Sequence, residues 1–167
     1  PALKNGFITF GCFNKITKIN DNVIYAWSEI LKRVENSKLF LKSKQLDNLM
    51  IAENIKKKFQ KNGINAEKII TEGKSKTREE MLKKYNQIDI ALDPFPYSGI
   101  TTSLEANWMG VPLLTKKGNN FYSRIGTSIN KNLNMEDWIA NDEKDYILKA
   151  ISKVSDLKKL FQIKREL

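Results

Sequence analysis

Residues 88–114 read IDIALDPFPYSGITTSLEANWMGVPLL, and this segment carries a complete strand–loop–helix–strand pattern. Ile88–Leu92 is a short apolar run ended by Asp93-Pro94, which is typical of a buried strand. Thr101–Trp108 has the pattern of a helix, and Val111–Leu114 reads as a second buried strand. Because strands that are apolar throughout lie in parallel sheets covered by helices, this segment predicts an α/β fold.

The rest of the chain repeats this alternation of strands and helices. Three more buried strands are predicted upstream, at Phe7–Phe13, Leu39–Leu41 and Lys68–Ile70. We therefore expect one domain over residues 1–167, α/β in class, with a Rossmann-like parallel sheet of five strands and helices on both faces. The other predicted helices cover Val23–Arg33 (capped by Asn20 or Asp21), Asp47–Lys61, the stretch from the Thr77–Glu80 capping box to Asn86, Ser123–Asn130, Glu143–Val154 and Leu157–Lys164.

The composition excludes several classes of protein. The chain has 167 residues, 41% of them hydrophobic, which suits a folded domain and not a disordered chain. It contains one cysteine, Cys12, and no histidine, so an internal disulfide and a zinc site built from cysteine and histidine are excluded. We expect Cys12 to be a buried thiol in a cytoplasmic protein.

The sequence shows no recognisable targeting signal at its start. No apolar run approaches the roughly 18 residues that a membrane span needs, and no signal peptide is visible. The sequence starts with Pro1 instead of methionine, so we expect it to be a piece of a longer protein. No membrane partner is predicted.

The formal net charge of +10 makes nucleic acid a partner to be considered. The lysines are spread along the chain, and even the densest runs, Lys56–Lys58 and Lys83–Lys84, are typical of solvated helix surfaces. Aromatic residues interleaved with basic residues on an exposed sheet would favour RNA binding, and the predicted strands lack that pattern. We therefore predict no nucleic-acid partner, although a basic nucleic-acid-binding domain stays an alternative.

Ligands of parallel sheets bind at the edge where the strands end, so the loops that follow strands are the candidate site. In the loop after residue 92, Gly99 permits close backbone approach, and Thr101 and Thr102 open a helix. Free N–H groups and hydroxyls at a helix start suit a diphosphate, although ordinary helix capping would need the same residues. The candidate loops are residues 14–18, 42–44, 72–78, 93–102 and 115–123.

Two other polar groups can take part in such a site. Glu105, one turn into the predicted helix, can accept hydrogen bonds from sugar hydroxyls. Lys15 and Lys18 follow the first strand and can neutralise phosphate charge, with plain surface lysines as the alternative interpretation. Asp93-Pro94 is interpreted as a turn, and no carboxylate cluster for a divalent metal is evident.

Four segments occur in the order and spacing of a known family. They are ITFGCFNKITKI at residues 8–19, DIALDPFPYSGITT at 89–102, EANWMGVP at 105–112 and SRIG at 123–126. Together they resemble the C-terminal catalytic lobe of the O-GlcNAc transferase and SPINDLY-like glycosyltransferases (glycosyltransferase family 41). The resemblance extends over nearly the whole chain and rests on long motifs.

This resemblance implies the GT-B fold, in which two Rossmann-like lobes face each other and the C-terminal lobe holds most of the nucleotide-sugar donor. By position, Lys18 matches the lysine that meets the donor diphosphate, and it is the catalytic residue implied. Thr101 and Thr102 match the phosphate-binding pair, and Glu105 matches an acidic residue on the ribose.

The resemblance also assigns the nucleoside side of the donor. Lys76 falls where a backbone group meets the base, and Arg78 falls where a basic residue lies beside the nucleoside. Met81 and Ile100 stand where animal O-GlcNAc transferases have histidines, and Lys15 stands where they have a glutamine. Base stacking and the choice of sugar are therefore left open by the sequence.

The function implied is metal-independent, inverting transfer of GlcNAc or another sugar from a UDP- or GDP-sugar to a protein. No cofactor is expected, and the protein acceptor would be recruited by an N-terminal region with tetratricopeptide repeats. No general base stands out. The chain alone is expected to lack transferase activity, because the family holds the acceptor between two lobes and only one of them is expected here. The second hypothesis is a non-catalytic nucleotide-sugar-binding module on the same fold.

Overall fold

A computed structural model describes residues 1–167 and contains one parallel sheet of six strands. The strands are β1 (Ile8–Cys12), β2 (Ser37–Lys42), β3 (Ile69–Glu72), β4 (Ile90–Leu92), β5 (Leu113–Lys116) and β6 (Ile139–Ala140). They lie side by side in the order β3-β2-β1-β4-β5-β6. All five pairings between neighbouring strands are parallel, so the predicted parallel sheet is confirmed.

Eight α-helices surround this sheet, and most of the chain connections contain one. They are α1 (Ala2–Asn5), α2 (Asp21–Arg33), α3 (Leu49–Lys61), α4 (Arg78–Lys83), α5 (Thr101–Trp108), α6 (Ile125–Asn132), α7 (Glu143–Val154) and α8 (Leu157–Glu166). Six short 3-10 turns complete the connections, at Ile16–Lys18, Lys44–Asp47, Ala66–Lys68, Lys84–Gln87, Phe121–Ser123 and Glu136–Trp138. None of the helices is long and apolar enough to cross a bilayer.

Several local predictions need correction. The sixth strand, β6, was not predicted because its two residues are too few to show a pattern, and pairing with β5 sets its place. Asn48, not Asp47, caps α3 by accepting the Met50 N–H at 2.9 Å. The Asp47 carboxylate instead accepts the Lys74 N–H at 3.0 Å, which ties down the loop after β3.

Two predicted helices also have different ends. The helix after Thr77 was predicted to reach Asn86, but α4 ends at Lys83 and continues as a 3-10 turn. The helix predicted from Ser123 starts at Ile125, because Asn120 and Ser123 cap a separate turn over Phe121–Ser123. Neither change moves a strand, so the predicted elements keep their order along the chain, to which the structure adds α1 and β6.

The sheet separates two hydrophobic cores. Ile90 and Leu92 of β4 face a cluster of 30 buried residues that includes the inner faces of α2, α3 and α7. Ala91, between them, belongs to a cluster of six buried residues on the other side of the sheet, which also contains Tyr85 and Ala106. This alternation along one strand confirms that helices cover both faces of the sheet.

The direction of the chain through the sheet reverses between β1 and β4. From β1 the chain runs outward to β2 and β3, and from β4 it runs outward to β5 and β6 on the other side. Because β1 and β4 pair directly, with Phe10 opposite Ile90, the loops that follow them start side by side. Such a switch point leaves a crevice at the carboxyl edge of the sheet, where ligands of this fold class bind.

A buried carboxylate shapes the loop after β4. Asp93 is 1% exposed, and its Oδ1 accepts the Gly99 N–H at 2.7 Å while its Oδ2 accepts the Thr115 hydroxyl at 2.7 Å. Its backbone carbonyl accepts the Tyr146 hydroxyl of α7 at 3.1 Å. A side chain at Gly126 would collide with the Asp93 carboxylate, so glycine is required there. Asp93 is therefore the internal anchor of the turn that the sequence predicted.

The Asn20 side chain fixes the same loop from another direction. Its Oδ1 caps α2 by accepting the Val23 N–H at 3.0 Å, and its Nδ2 donates to the Phe95 carbonyl at 2.7 Å. One amide thus joins the start of α2 to the loop after β4. The path of that loop is set by hydrogen bonds from three separate elements, which holds the residues that follow it in place.

The burial of Asp93 predicts a specific dependence of stability on pH. Burial raises the pKa of Asp93 from 3.8 to about 6, against the opposing effect of its hydrogen bonds from Gly99, Thr115 and Ser98. The Asp93 carboxyl group thus binds its proton more tightly in the folded state than in the unfolded chain. Its ionisation therefore lowers the unfolding free energy as the pH rises between these two pKa values. The cost is roughly 3 kcal/mol once the pH is above the folded-state pKa.

Asp93→Asn removes this titration while keeping an oxygen that can accept the Gly99 N–H. We expect the unfolding free energy of wild type, relative to that of Asp93→Asn, to fall between about pH 4 and pH 7 and then level off. Urea unfolding of both proteins across this range measures the difference. A difference that stays constant, or that grows with pH, would contradict the assignment of a raised pKa.

Candidate functional site

Two adjoining cavities lie at the carboxyl edge of the sheet, beside the switch point. One of about 350 Å³ is lined by the loops after β2 and β3 together with α4 and α5. The other, of about 990 Å³, is lined by the loops after β1, β2 and β4. Because both are lined by Phe13, Ser43, Lys44 and Thr102, they form one continuous cleft. We call the two ends the small compartment and the large compartment.

A buried asparagine joins the two sides of the large compartment. Asn14, 7% exposed, follows β1, and its Oδ1 accepts the Lys18 ammonium at 3.3 Å and the Thr102 hydroxyl at 3.0 Å. Lys18 also donates to the Ser98 carbonyl at 2.8 Å. Lys18, in the loop after β1, and Thr102, at the start of α5, are therefore held at fixed positions. Both residues line the large compartment.

The start of α5 forms the floor of this compartment. No side chain caps the helix at Ile100, and the hydrogen bonding of the first turn begins with the N–H groups of Ser103 and Leu104, both donating to the Ile100 carbonyl. A side chain at Gly99 would collide with the Thr102 and Ser103 hydroxyls. The uncapped N–H groups, together with Lys18, make a binding site for an anion.

The charge on Lys18 is affected by its surroundings. Partial burial lowers the pKa of its ammonium from the ordinary 10.5, and the nearby Asp93 carboxylate acts in the opposite direction. An anionic ligand beside Lys18 would favour the charged form and offset the loss of water. Cys12, under the same loop, is a free buried thiol as predicted, and burial raises its pKa to about 12, so it stays protonated.

The small compartment has an ion pair at its wall. Arg78 Nη2 lies 2.7 Å from Glu105 Oε1, with the arginine side chain 67% exposed and the glutamate 10% exposed. The buried Tyr85 hydroxyl donates to the Thr102 carbonyl at 3.0 Å and lies 3.5 Å from Glu105 Oε2. Glu105 is thus a largely buried acceptor in the wall of the cleft, and Arg78 is an exposed cation at its rim.

The loop after β3 is held by capping contacts. Thr77 Oγ1 accepts the Glu80 N–H at 3.1 Å, as the capping box predicted, but Glu80 Oε2 accepts the N–H of Lys76, at 3.0 Å, instead of that of Thr77. Buried Lys42 donates to Glu72 Oε1 and to the Gly73 carbonyl, both at 2.7 Å. These contacts give the small compartment a defined wall in the absence of a ligand.

The residues predicted from sequence all reach this cleft. Lys15, Lys18 and Thr101 line the large compartment, Lys76, Arg78 and Glu105 line the small one, and Thr102 lines both. Met81 lines the small compartment, and Ile100 and Lys15 line the large one, so all three positions that differ from animal O-GlcNAc transferases line the cleft. The individual binding roles of these residues stay predictions.

Sequence reasoning missed three residues that organise the cleft. Asn14 holds Lys18 and Thr102, Tyr85 supports Glu105, and Phe13 lines both compartments and packs on Tyr85 with ring centroids 4.3 Å apart. A polar residue directly after an apolar strand was the available signal for Asn14. For Tyr85, 17 residues from Thr102 in the chain, nothing local indicated a role.

The distribution of acidic side chains bears on the type of chemistry. No group of three or more Cys, Asp or Glu side chains lies close enough together to hold a metal ion. The cationic side chains that line the cleft are Lys15, Lys18, Lys42, Lys44, Lys74, Lys76 and Arg78, and together with the start of α5 they can neutralise an anion. The predicted independence from metal stays a prediction.

Comparison with known proteins places this cleft in a family. The model of glycosyl transferase family 41 matches residues 2–167. The tomato (Solanum lycopersicum) protein described as a probable UDP-N-acetylglucosamine–peptide N-acetylglucosaminyltransferase SPINDLY is 32% identical over 167 residues, covering 100% of this chain and 18% of its own. The Caenorhabditis elegans UDP-N-acetylglucosamine–peptide N-acetylglucosaminyltransferase is 26% identical over 149 residues, covering 89% of this chain and 13% of its own.

Solved structures agree with this result. A mutant of the Thermobaculum terrenum O-GlcNAc transferase superposes with a TM-score of 0.93 at 32% identity, over 96% of this chain and 31% of that one. The C-terminal domain of a Francisella tularensis glycosyl transferase group 1 protein superposes with a TM-score of 0.68 at 17% identity, which shows the fold alone. The chain spans about a fifth of the curated relatives, and it belongs to glycosyl transferase family 41, with the fold of the C-terminal lobe of a GT-B glycosyltransferase.

Proposed function

We propose that this chain is the donor-binding lobe of a protein glycosyltransferase that takes its sugar from a UDP- or GDP-sugar. In this proposal the nucleoside lies in the small compartment, beside the Arg78–Glu105 ion pair, and the diphosphate lies in the large one. The observation that carries the proposal is the arrangement of Lys18, Asn14 and Thr102 at the uncapped start of α5. It provides a cation, a hydroxyl and backbone N–H groups for one diphosphate.

The names of the relatives support the choice of donor and acceptor. The tomato and nematode proteins are described as transferring N-acetylglucosamine from its UDP derivative to peptide. We extend this to a protein acceptor for the full-length parent of this chain, held by regions outside residues 1–167. A cytoplasmic location of that parent, and its recruitment of acceptors through an N-terminal repeat region, are part of the same proposal.

The chemistry proposed for these residues is stabilisation of a leaving group. As the bond between the anomeric carbon and the β-phosphate oxygen breaks, the nucleoside diphosphate gains negative charge. Lys18, the Thr101 and Thr102 hydroxyls and the start of α5 would stabilise this charge more in the transition state than in the ground state. The acceptor hydroxyl attacks from the opposite face in an inverting reaction, and its general base would come from outside this chain.

Lys18→Ala tests the diphosphate site directly. Loss of one charge-assisted contact should weaken the binding of UDP or GDP by about 1.5–3 kcal/mol, or roughly tenfold to 150-fold. Isothermal titration calorimetry on the purified chain measures the change, and thermal unfolding checks that the variant folds. Lys158→Ala, at an exposed lysine of α8, is the matched control and should bind as wild type does.

An unchanged dissociation constant in folded Lys18→Ala would show that this lysine does not meet the diphosphate. Weakening of equal size in Lys158→Ala would mean that binding follows net charge and not this site. In that case the basic nucleic-acid-binding alternative would gain support. Binding of the nucleotide sugar without any transfer by the full-length parent would instead favour the non-catalytic module.

Nucleotide binding is expected to be independent of divalent metal. Lys18 and the start of α5 supply the positive charge that a bound magnesium ion supplies in other nucleotide sites. The dissociation constant for UDP or GDP should therefore agree, within twofold or so, in EDTA and in millimolar magnesium. Loss of binding in EDTA and its recovery with magnesium would rule out this mode of charge neutralisation.

A further inference from the structure

Three exposed aromatic rings form a contiguous cluster beside the large compartment. Tyr97 is 42% exposed, Tyr122 54% and Phe121 74%. The ring centroids of Tyr97 and Tyr122 are 5.1 Å apart, and those of Tyr122 and Phe121 are 5.5 Å apart, both pairs edge to face. Contiguous exposed apolar surface of this kind marks binding sites more often than isolated exposed residues do. We call these three residues the aromatic cluster.

The backbone holds this cluster in place. It joins the loop after β4 to the loop after β5, because the Ser98 N–H donates to the Tyr122 carbonyl at 3.2 Å. Asn120 and Ser123, on either side of the two rings, close a reciprocal capping box around them. The rings are therefore presented by two cross-linked loops. The fifth loop predicted from sequence, residues 115–123, contributes to the site through these rings and not through the walls of the two compartments.

The position of the cluster along the cleft indicates its ligand. Arg78 and Glu105 lie at one end, Thr102 is shared by the two compartments, and Lys18 lies in the large one. The Lys18 ammonium is 4.1 Å from the centroid of the Tyr97 ring, so the cluster adjoins the proposed diphosphate site. A donor with its nucleoside at Arg78 and its diphosphate at Lys18 carries its sugar on the side of Tyr97.

The chemistry of the rings fits a sugar. One face of a pyranose ring exposes C–H groups, which pack against aromatic rings, and the phenol hydroxyls of Tyr97 and Tyr122 can bond to its hydroxyls. The interplanar angles of 69° and 78° mean that neighbouring rings stand nearly perpendicular to each other. Rings at such angles present no single flat surface of the kind on which successive bases could stack.

We propose that Tyr97 and Tyr122, extended by Phe121, form the surface that binds the pyranose ring of the donor. This inference rests on the proposed function of the cleft. It makes the cluster a determinant of affinity for the sugar, separate from the groups that hold the nucleotide. The two tyrosines would favour a hexose whose apolar face turns toward the loops after β4 and β5.

The test compares nucleotide sugars with the corresponding nucleotides. Calorimetry measures the dissociation constants of UDP, UDP-GlcNAc, GDP and GDP-mannose for wild type, Tyr97→Ala and Tyr122→Ala. In at least one of the two donor pairs, both variants should lower the affinity for the nucleotide sugar relative to the nucleotide by about threefold to tenfold. Because Tyr97 also contacts Lys18, Tyr97→Ala can change the affinities for the nucleotide and for the nucleotide sugar by the same factor. The ratio of the two dissociation constants cancels this common change.

Two controls make the result specific. Tyr25→Ala removes a tyrosine of α2 that is 51% exposed and lines neither compartment, and it should leave the ratio unchanged. Tyr122→Phe keeps the ring and should retain more of the sugar affinity than Tyr122→Ala. Circular dichroism and thermal unfolding confirm that each variant folds.

The outcomes separate the two proposals. An unchanged ratio in folded Tyr97→Ala and Tyr122→Ala, with UDP or GDP binding still weakened by Lys18→Ala, overturns the sugar surface and leaves the proposed function standing. Absence of binding of every nucleotide by wild type overturns the proposed function itself. Binding of a single-stranded oligonucleotide that both tyrosine variants abolish, with unchanged sugar ratios, assigns the rings to nucleic acid and also overturns the inference.

Discussion

The buried carboxylate of Asp93 is the constraint on which the functional edge of this protein depends. It accepts hydrogen bonds from Gly99 and Thr115, while its carbonyl accepts one from Tyr146, so β4, β5, α7 and the loop before α5 converge on one residue. Full burial makes its negative charge costly and raises its pKa. This destabilising effect falls at the residue where the loop turns. The path of the same loop sets where α5 begins.

The start of α5 in turn meets the loop after β1 at the switch point of the sheet. Parallel pairing of β1 and β4 brings two loops together that are about 80 residues apart in the chain, and Asn14 bonds across them to Thr102. Preorganised groups of this kind stabilise a ligand without first having to rearrange. Lys18 is held in addition by the Ser98 carbonyl, and Arg78 by Glu105.

The proposed function assigns the groups along the cleft to the successive parts of a nucleotide sugar. An ion pair and polar backbone occur at one end, cationic and N–H groups in the middle, and exposed aromatic rings at the other. The segment after β4 contributes to all three, through Glu105, the start of α5 and Tyr97, and the segments after β1, β3 and β5 supply Lys18, Arg78 and Tyr122.

Much of this was readable from the amino-acid sequence. The apolar strands and capped helices predict the α/β class, and the motifs at residues 8–19 and 89–112 predict the family and five residues that line the cleft, while Lys76 and Arg78 follow from the resemblance by position. These succeed because short buried strands, helix starts and glycine-dependent loops are local features, written in consecutive residues. The strand β6 and the cap at Asn48 were missed, because two residues carry no pattern and neighbouring polar residues compete equally for a cap.

Other features follow only from the packing of distant segments. The contacts of Asn14 with Thr102, of Tyr85 with Glu105 and of Asp93 with Tyr146 join residues between 20 and 88 positions apart. The aromatic cluster likewise exists because Ser98 bonds to the backbone of Tyr122. Hydrogen bonds and ring contacts of this kind depend on how two loops lie against each other in space. Local propensity carries no information about that distance, so these parts of the site came from the tertiary structure.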